Sequence, residues 1–263
     1  MKALRFLMAA ALLAALTASA SAFQISINEI RIDQGGSDLD EYFELTGAPG
    51  ASLNGLSYIV IGDCSGDPSG VGGCVEAIVP LTGMSIPADG FFLAVENTFT
   101  AAPAAQQDLV LAPNGINFEN SDNVTHMLVS GLDPSVNLGG NGFGGTDFDI
   151  NDDGIIDALI DTNNDAVPDS VPFVSMLDSI ALIEDPTVPP PFTELAYGPN
   201  QIGPDGPFVP AQIFRLPDGS GAWNIGSFGP VGLTDTPGVT NVPEPASLAL
   251  LAIGGLALIR RRR

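Results

Sequence analysis

Short runs of β-branched and aromatic residues alternate with turn dipeptides along this chain, with almost no helical periodicity outside its two ends, and that pattern limits the fold more than anything else. The runs span 23–32, 41–46, 57–62, 75–80, 91–96, 108–111, 124–130, 179–184 and 212–216. Between them stand Gly35-Gly36, Pro49-Gly50, Asn54-Gly55, Asp89-Gly90, Asn114-Gly115 and Asp205-Gly206. These supply the left-handed or pre-set φ that tight turns require. Many short strands punctuated in this way predict an all-β sandwich or barrel. Abundant Gly and Pro raise the question of disorder, but 45% hydrophobic content leaves ample apolar surface for a core.

Particular motifs sharpen that expectation. Ile27-Asn28-Glu29-Ile30, followed by Asp40-Glu41-Tyr42-Phe43-Glu44-Leu45, resembles the opening of a lamin-tail domain. Leu53-Asn54-Gly55-Leu56, Ile86-Pro87-Ala88-Asp89-Gly90-Phe91-Phe92, and Asp235-Thr236-Pro237-Gly238 with Asn241 close behind fit the same pattern. The resemblance covers about 25–241 and implies an immunoglobulin-like antiparallel β-sandwich over 23–241, with an Asp/Asn-rich insertion at about 139–172. It transfers no catalytic residues, because that domain class is not itself known as an enzyme. It implies structural roles for Asn28, Glu29 and Glu44, as polar groups at strand ends that bond backbone.

The ends read as targeting segments. Lys2 and Arg5, the apolar stretch 6–16 and Ala20-Ser21-Ala22 compose a secretory signal helix over 1–22, cut between Ala22 and Phe23. At the other end, Val242-Pro243-Glu244-Pro245 is rigid and extended. An apolar run, 246–259, follows, and Arg260, Arg261, Arg262 and Arg263 stay cytoplasmic by the positive-inside rule. This order resembles the PEP-CTERM sorting tail of Gram-negative bacteria, over 242–263. The resemblance implies an exosortase-like processing enzyme as partner and a transient stay of a short C-terminal hydrophobic helix in the inner membrane. The apolar run is shorter than the ~20 residues of an ordinary span, and a plain anchor has no need of Pro-Glu-Pro at its mouth.

With the targeting charges set aside, Arg31 and Arg215 face 31 acidic residues, a formal charge of about −29. Such a surface repels nucleic acid and anionic lipid. It attracts divalent cations, which can bridge it to an acidic exopolysaccharide.

Cys64 and Cys74, the only cysteines, flank a loop rich in Gly, Pro, Ser and Asp. In an exported chain with no neighbouring histidine, they predict a disulfide rather than a metal site or a reactive thiol.

The insertion carries different chemistry. Asp149, Asn151, Asp153 and Asp157 fall at positions 1, 3, 5 and 9 of a loop, with Gly154 at 6 and the Ile155 carbonyl at 7. Calcium takes six to eight oxygens at ~2.3–2.6 Å, and alternate residues of such a loop turn inward. Twelve residues on, Asp161, Asn163, Asp165 and Asp169 repeat the register. The tandem resembles calcium loops of the thrombospondin type 3 or dockerin kind, with Asp157, Asp161 and Asp169 available to both ions. An EF-hand is not expected, since Ile160 stands where its bidentate Glu belongs and no helix flanks the loop.

His126, the sole histidine, alternates with Val124 and Leu128 and reads as a half-buried strand residue. No Gly-x-Ser-x-Gly elbow offers it a nucleophile. Trp223 is expected to pack in the core, and Asn123-Val124-Thr125 reads as a coincidental glycosylation pattern. The resulting expectation is a non-enzymatic, calcium-stabilised, structural or adhesive protein of the cell surface or extracellular matrix. A carbohydrate-binding module of the exopolysaccharide matrix, a calcium-dependent hydrolase and a permanently anchored membrane protein are its rivals.

Overall fold

The computed structural model describes residues 24–64, 72–101, 106–112, 115–116, 118–120, 122–138, 145–151, 153–157, 171–184, 195–229 and 234–241. The two terminal helices expected from sequence, the Phe23 cleavage position, residues 242–263, and Asp161, Asn163, Asp165 and Asp169 lie outside these residues. Among the described residues, no helix is long and apolar enough to cross a membrane.

Among the described residues, eleven strands form two sheets. They are β1 (Ser26–Arg31), β2 (Tyr42–Thr46), β3 (Leu56–Asp63), β4 (Gly72–Pro80), β5 (Phe91–Val95), β6 (Leu109–Val110), β7 (Val124–Ser130), β8 (Ser175–Leu182), β9 (Gln201–Ile202), β10 (Gln212–Leu216) and β11 (Ala222–Ile225). The first sheet has the order β11-β10-β1-β2-β5-β6 and the second β4-β3-β7-β8-β9. Pairing is antiparallel except at one edge of each sheet, where β6 runs parallel to β5 and β9 parallel to β8. The expectation of a wholly antiparallel sandwich is corrected there. Each parallel pair is only two residues long, added at an edge by a loop that returns the chain in the same direction. β8 begins at Ser175, earlier than the hydrophobic run suggests, because Ser175 and Met176 pair with Ser130 and Val129 beyond a register shift.

The inner faces enclose one apolar core. Ile27, Ile30, Phe43, Leu45, Phe92, Ala94 and Ile213 from the first sheet meet Tyr58, Val60, Val79, Val124, Leu128, Ile180 and Leu182 from the second. The Phe43 and Tyr58 rings stack across the interface, with centroids 3.7 Å apart and planes within 4°. Full burial of each large side chain contributes about 1.5–3 kcal/mol. One ion pair also ties the sheets. Arg215 of β10 donates through Nη2 to both Asp178 oxygens of β8, at 3.0 and 3.1 Å, and its guanidinium lies 4.3 Å over the Trp223 ring.

The spacing Ile27…Ile30 is three, where a regular strand would put every second residue inside. A register shift between Ile27 and Glu29 resolves this, with Ile27 opposite Leu45 and Glu29 opposite Glu44. The bulge at Asn28 keeps both isoleucines in the core and turns Asn28 and Glu29 together onto the outer face.

Both outer faces are covered. Segment 234–241 lies over that of the first sheet, bonded to Glu29, Glu44 and Arg31. Over the second sheet, Val136, Phe148 and Tyr197 pack on Ile59, Ile61, Val75, Met127 and Val129. The exposed edge of β4 is also occupied, since Val75 N–H donates to Thr146 O (3.1 Å) and Phe148 N–H to Gly73 O (2.9 Å). An unpaired edge would otherwise invite another chain. The predicted disulfide joins Cys64 to Cys74 across the β3–β4 hairpin, a separation of 10 residues. Closing a loop of that size contributes roughly 2.5–3 kcal/mol in the chain-entropy account.

Candidate functional site

The densest polar chemistry lies between the first sheet and segment 234–241, where the motifs noted in the sequence converge. Glu29 and Glu44 sit directly opposite each other on β1 and β2, both fully buried. Like charges in that arrangement repel unless donors surround them. Glu29 Oε1 accepts from the Tyr42 hydroxyl (2.5 Å), Gln212 Nε2 (2.9 Å) and Thr236 N–H (3.1 Å), and Glu29 Oε2 from the Thr236 hydroxyl (3.1 Å). Glu44 accepts from Asn28 Nδ2 (2.8 Å) and Gly238 N–H (2.6 Å). Gly238 has φ +77, and a Cβ there would meet Gln106 Cβ at 3.0 Å, so glycine is required for this amide to reach Glu44.

Burial, reinforced by the Asp235 carboxylate, pushes Glu29 up to about 7 against the hydrogen bonds from Tyr42 and Thr236. Burial and then the facing Glu29 push Glu44 well above the ordinary carboxyl range. Beside them Arg31 Nη1 binds Asp235 Oδ1 at 2.7 Å, with both side chains fully buried, and Nη2 donates to Gly229 O.

The segment ends on an anchor. Asn241 is buried, its N–H donates to Asp218 Oδ1 (3.1 Å) and its Nδ2 to Arg215 O (3.0 Å). Asn28 reaches the same Asp218 through Nδ2 at 3.1 Å, and Thr236 bonds the Asn241 side chain. Glu29 and Glu44 thus bond both neighbouring strands and segment 234–241, and Asn28 bonds Glu44, Asp218 and Gly219, a role larger than strand-end capping.

The Asp/Asn loop closes on itself. Asp149 is fully buried; its Oδ1 accepts from Asp153 N–H (3.0 Å) and its Oδ2 from Gly154 N–H (2.8 Å) and the Tyr197 hydroxyl (3.1 Å). Asn151 Oδ1 accepts from Asp153 N–H (3.1 Å), Asp153 Oδ1 from Ile155 N–H (2.9 Å), and Asp157 Oδ2 from Ile150 N–H (2.9 Å). Gly154, at φ +81, makes the sharp bend. Side-chain oxygens at positions 1, 3, 5 and 9 therefore each accept from a backbone N–H of the same loop, while the Ile155 side chain stays in solvent. Next to the loop lies an open apolar groove of about 920 Å³, lined by Ile155, Ile156, Val171, Phe173, Val174 and Met176 among others.

His126 is fully buried, where half-burial was expected. It faces Tyr58, whose hydroxyl lies 2.8 Å from Nδ1, and the Phe118 ring at 4.9 Å. Burial drops its pKa to about 3. Between two sheets it is a neutral core residue. Asn123 is also buried, and its Oδ1 accepts from Glu184 N–H at 2.6 Å, which closes the glycosylation pattern to any enzyme. Arg31 and Arg215, the cations of the described residues, are both engaged internally. The acidic surface is left without counter-charges of its own.

A two-sheet β protein whose last described residues are locked to its sheet defines the structural class. Residues 241–263 match the PEP-CTERM protein-sorting motif. The motif marks an exported protein that is processed by an exosortase-like enzyme and sorted to the cell surface. No curated protein and no solved structure matches the chain.

Proposed function

We propose that this chain is a non-enzymatic structural or adhesive protein of the cell surface or extracellular matrix. In this reading a lamin-tail-like sandwich is the cargo, a calcium ion stiffens its Asp/Asn loop, and the sorting tail delivers it. The observation that carries the reading is the junction at Asn241. Asn241, bonded to Asp218 and Arg215, is the first residue of the sorting motif. Pro243 follows two residues later, at most about 7 Å of extended chain away. A sorting signal joined to a folded domain with no spacer points to that domain as what is delivered.

Other features support the same reading. The Ile27–Ile30, Asp40–Leu45 and Asp235–Asn241 motifs, far apart in sequence, meet in one buried network, as expected of a domain of the lamin-tail kind. Neutral, buried His126 is poorly placed for hydrolysis. Trp223, half-buried beneath Arg215, is poorly placed to stack on sugar.

The test is the intact mass of the native protein recovered from the cell surface or medium. The expected chain starts near Phe23, ends near 243–245 and is two hydrogens light for the disulfide. A chain still ending at Arg263 in the membrane fraction would refute delivery and leave a tail-anchored protein.

A further inference from the structure

The first strand and the last anchored segment meet on one turn, at one end of the first sheet. The Ser26 hydroxyl, at the start of β1, donates to Gly219 O (3.0 Å) in the turn between β10 and β11. Asp218 of the same turn accepts the Asn241 N–H (3.1 Å), and Arg215 O accepts from Asn241 Nδ2 (3.0 Å). Asn28 joins the two, since its Oδ1 accepts from Gly219 N–H (2.8 Å) and its Nδ2 bonds Asp218 (3.1 Å). Both junctions to the targeting segments therefore leave the domain from the same place.

The chain beyond each junction is short. Ser26 lies four residues past Ala22, where the signal segment is expected to be cut. Asn241 lies five residues before Ala246, where the apolar run of the tail begins. Fully extended, these stretches span at most about 14 and 18 Å. β1, six residues long, carries the sheet about 20 Å from this end to the other. The junction end is thus bound to stay nearer the bilayer than the sheet is long.

Charge differs between the two ends of the sheet. Asp33, Asp38, Asp40, Glu41 and Glu96 gather at the far end, in the β1–β2 connection and just after β5. Around Asn241 the exposed residues include Gln24, Pro217, Ser220, Val239 and Thr240, all uncharged. Asp218, at their centre, is half-buried and spends Oδ1 on Asn28 and Asn241. Asp89, beside the start of β5, is an exposed acid at this end. Exposed charges more than about 8 Å apart are largely screened at physiological ionic strength. An anionic lipid surface therefore repels this domain least when the far end points away from it.

We propose that the short tether holds the junction end, formed by Gln24, the 217–221 turn and residues 239–241, against the lipid surface of the inner membrane until the tail is cut. The acid-rich end is then directed away from the bilayer. The inference rests on the delivery reading above, in which the tail occupies the membrane before processing. It adds an orientation: the uncut domain stands with its strands pointing out of the membrane and meets the lipid through its least charged end.

Fluorescence quenching in vesicles tests the proposal. The full chain, tail uncut, is reconstituted in phosphatidylethanolamine–phosphatidylglycerol vesicles that carry a headgroup-bound nitroxide. Ser220→Cys and Ser37→Cys, at one exposed serine of each end, are labelled with the same fluorophore, and circular dichroism checks each fold. The label at 220 should lose most of its fluorescence, while that at 37 keeps the intensity it has without nitroxide. About twelve Gly/Ser residues inserted between Asn241 and Val242 lengthen the tether by about 17–21 Å and should restore the signal at 220. Equal quenching at both positions would overturn the orientation, and so would quenching at 220 that survives the insertion. Quenching at neither would also overturn it, leaving a protein partner rather than lipid at this end. Failure of the uncut chain to float with the vesicles would refute the delivery reading itself, and the inference with it.

Discussion

Asp235→Ala is the sharpest test of the network beneath segment 234–241. The Arg31–Asp235 contact is 2.7 Å long and neither side chain reaches solvent. At that separation, Coulomb attraction is about 6 kcal/mol with an effective dielectric of about 20, and desolvation of the two charges offsets much of it. Removal of the carboxylate keeps the desolvation and loses the attraction. Arg31 would then hold only Gly229 O, with its Nε already lacking a partner. The expected cost is about 3–5 kcal/mol.

With a urea m-value of about 2 kcal/mol/M, the unfolding midpoint should fall by roughly 1.5–2.5 M. Trp223, the chain's one tryptophan, reports the transition from the same sheet. The cost should change little between low and high salt, because screening does not reach a fully buried pair. Arg31→Met/Asp235→Leu removes both charges and should lie far closer to wild type than the single variant. A loss under about 1 kcal/mol for Asp235→Ala, or no coupling between the two sites in the double-mutant cycle, would mean that Arg31 has another way to satisfy its charge.

Two further outcomes follow from the buried titrating groups. Glu29, raised to about 7, favours folding in its protonated form; that contribution is full below about pH 4.5 and fades as pH rises through 7. Glu29→Gln should therefore gain stability relative to wild type, by about 3 kcal/mol between pH 4.5 and 8 in urea unfolding, and a difference that stays flat across that range counts against the burial argument. His126, lowered to about 3, acts with the opposite sign: its contribution is full above about pH 6.5 and is lost as pH falls toward 3. The single imidazole resonance set should stay neutral at pH 5 by NMR, and titration near 6.5 would place His126 in contact with water.

The sequence revealed what local spacing controls. Strict alternation gives β7 and β10 to the residue, at 124–130 and 212–216. The Asp/Asn loop was equally visible, because each of its side chains reaches an amide two to seven residues away. β11 escaped notice since Ala222-Trp223-Asn224-Ile225 is four residues with no apolar alternation. β9 is two residues placed by its neighbour rather than by propensity. Glu29, Glu41 and Glu44 look like surface acids, as charged residues usually are. Nothing local says that segment 234–241 returns about 200 positions later to cover two of them. Beyond the resemblance of the 27–30, 40–45 and 235–241 motifs to one domain, the hint was the spacing of three between Ile27 and Ile30, which a regular strand cannot place on one face. Two core residues at that spacing require a bulge, and a bulge there turns Asn28 and Glu29 outward together.

That geometry also separates folding from sorting. Every anchor of the covering segment, from the Asp235–Arg31 pair to the Asn241 bonds, lies before Pro243. A cut at the Pro-Glu-Pro motif therefore removes none of these bonds. What the tail receives in return is a fixed origin, since Asn241 ties its first residue to Asp218 and Arg215 on the folded sheet, and only Val242 separates that point from the motif.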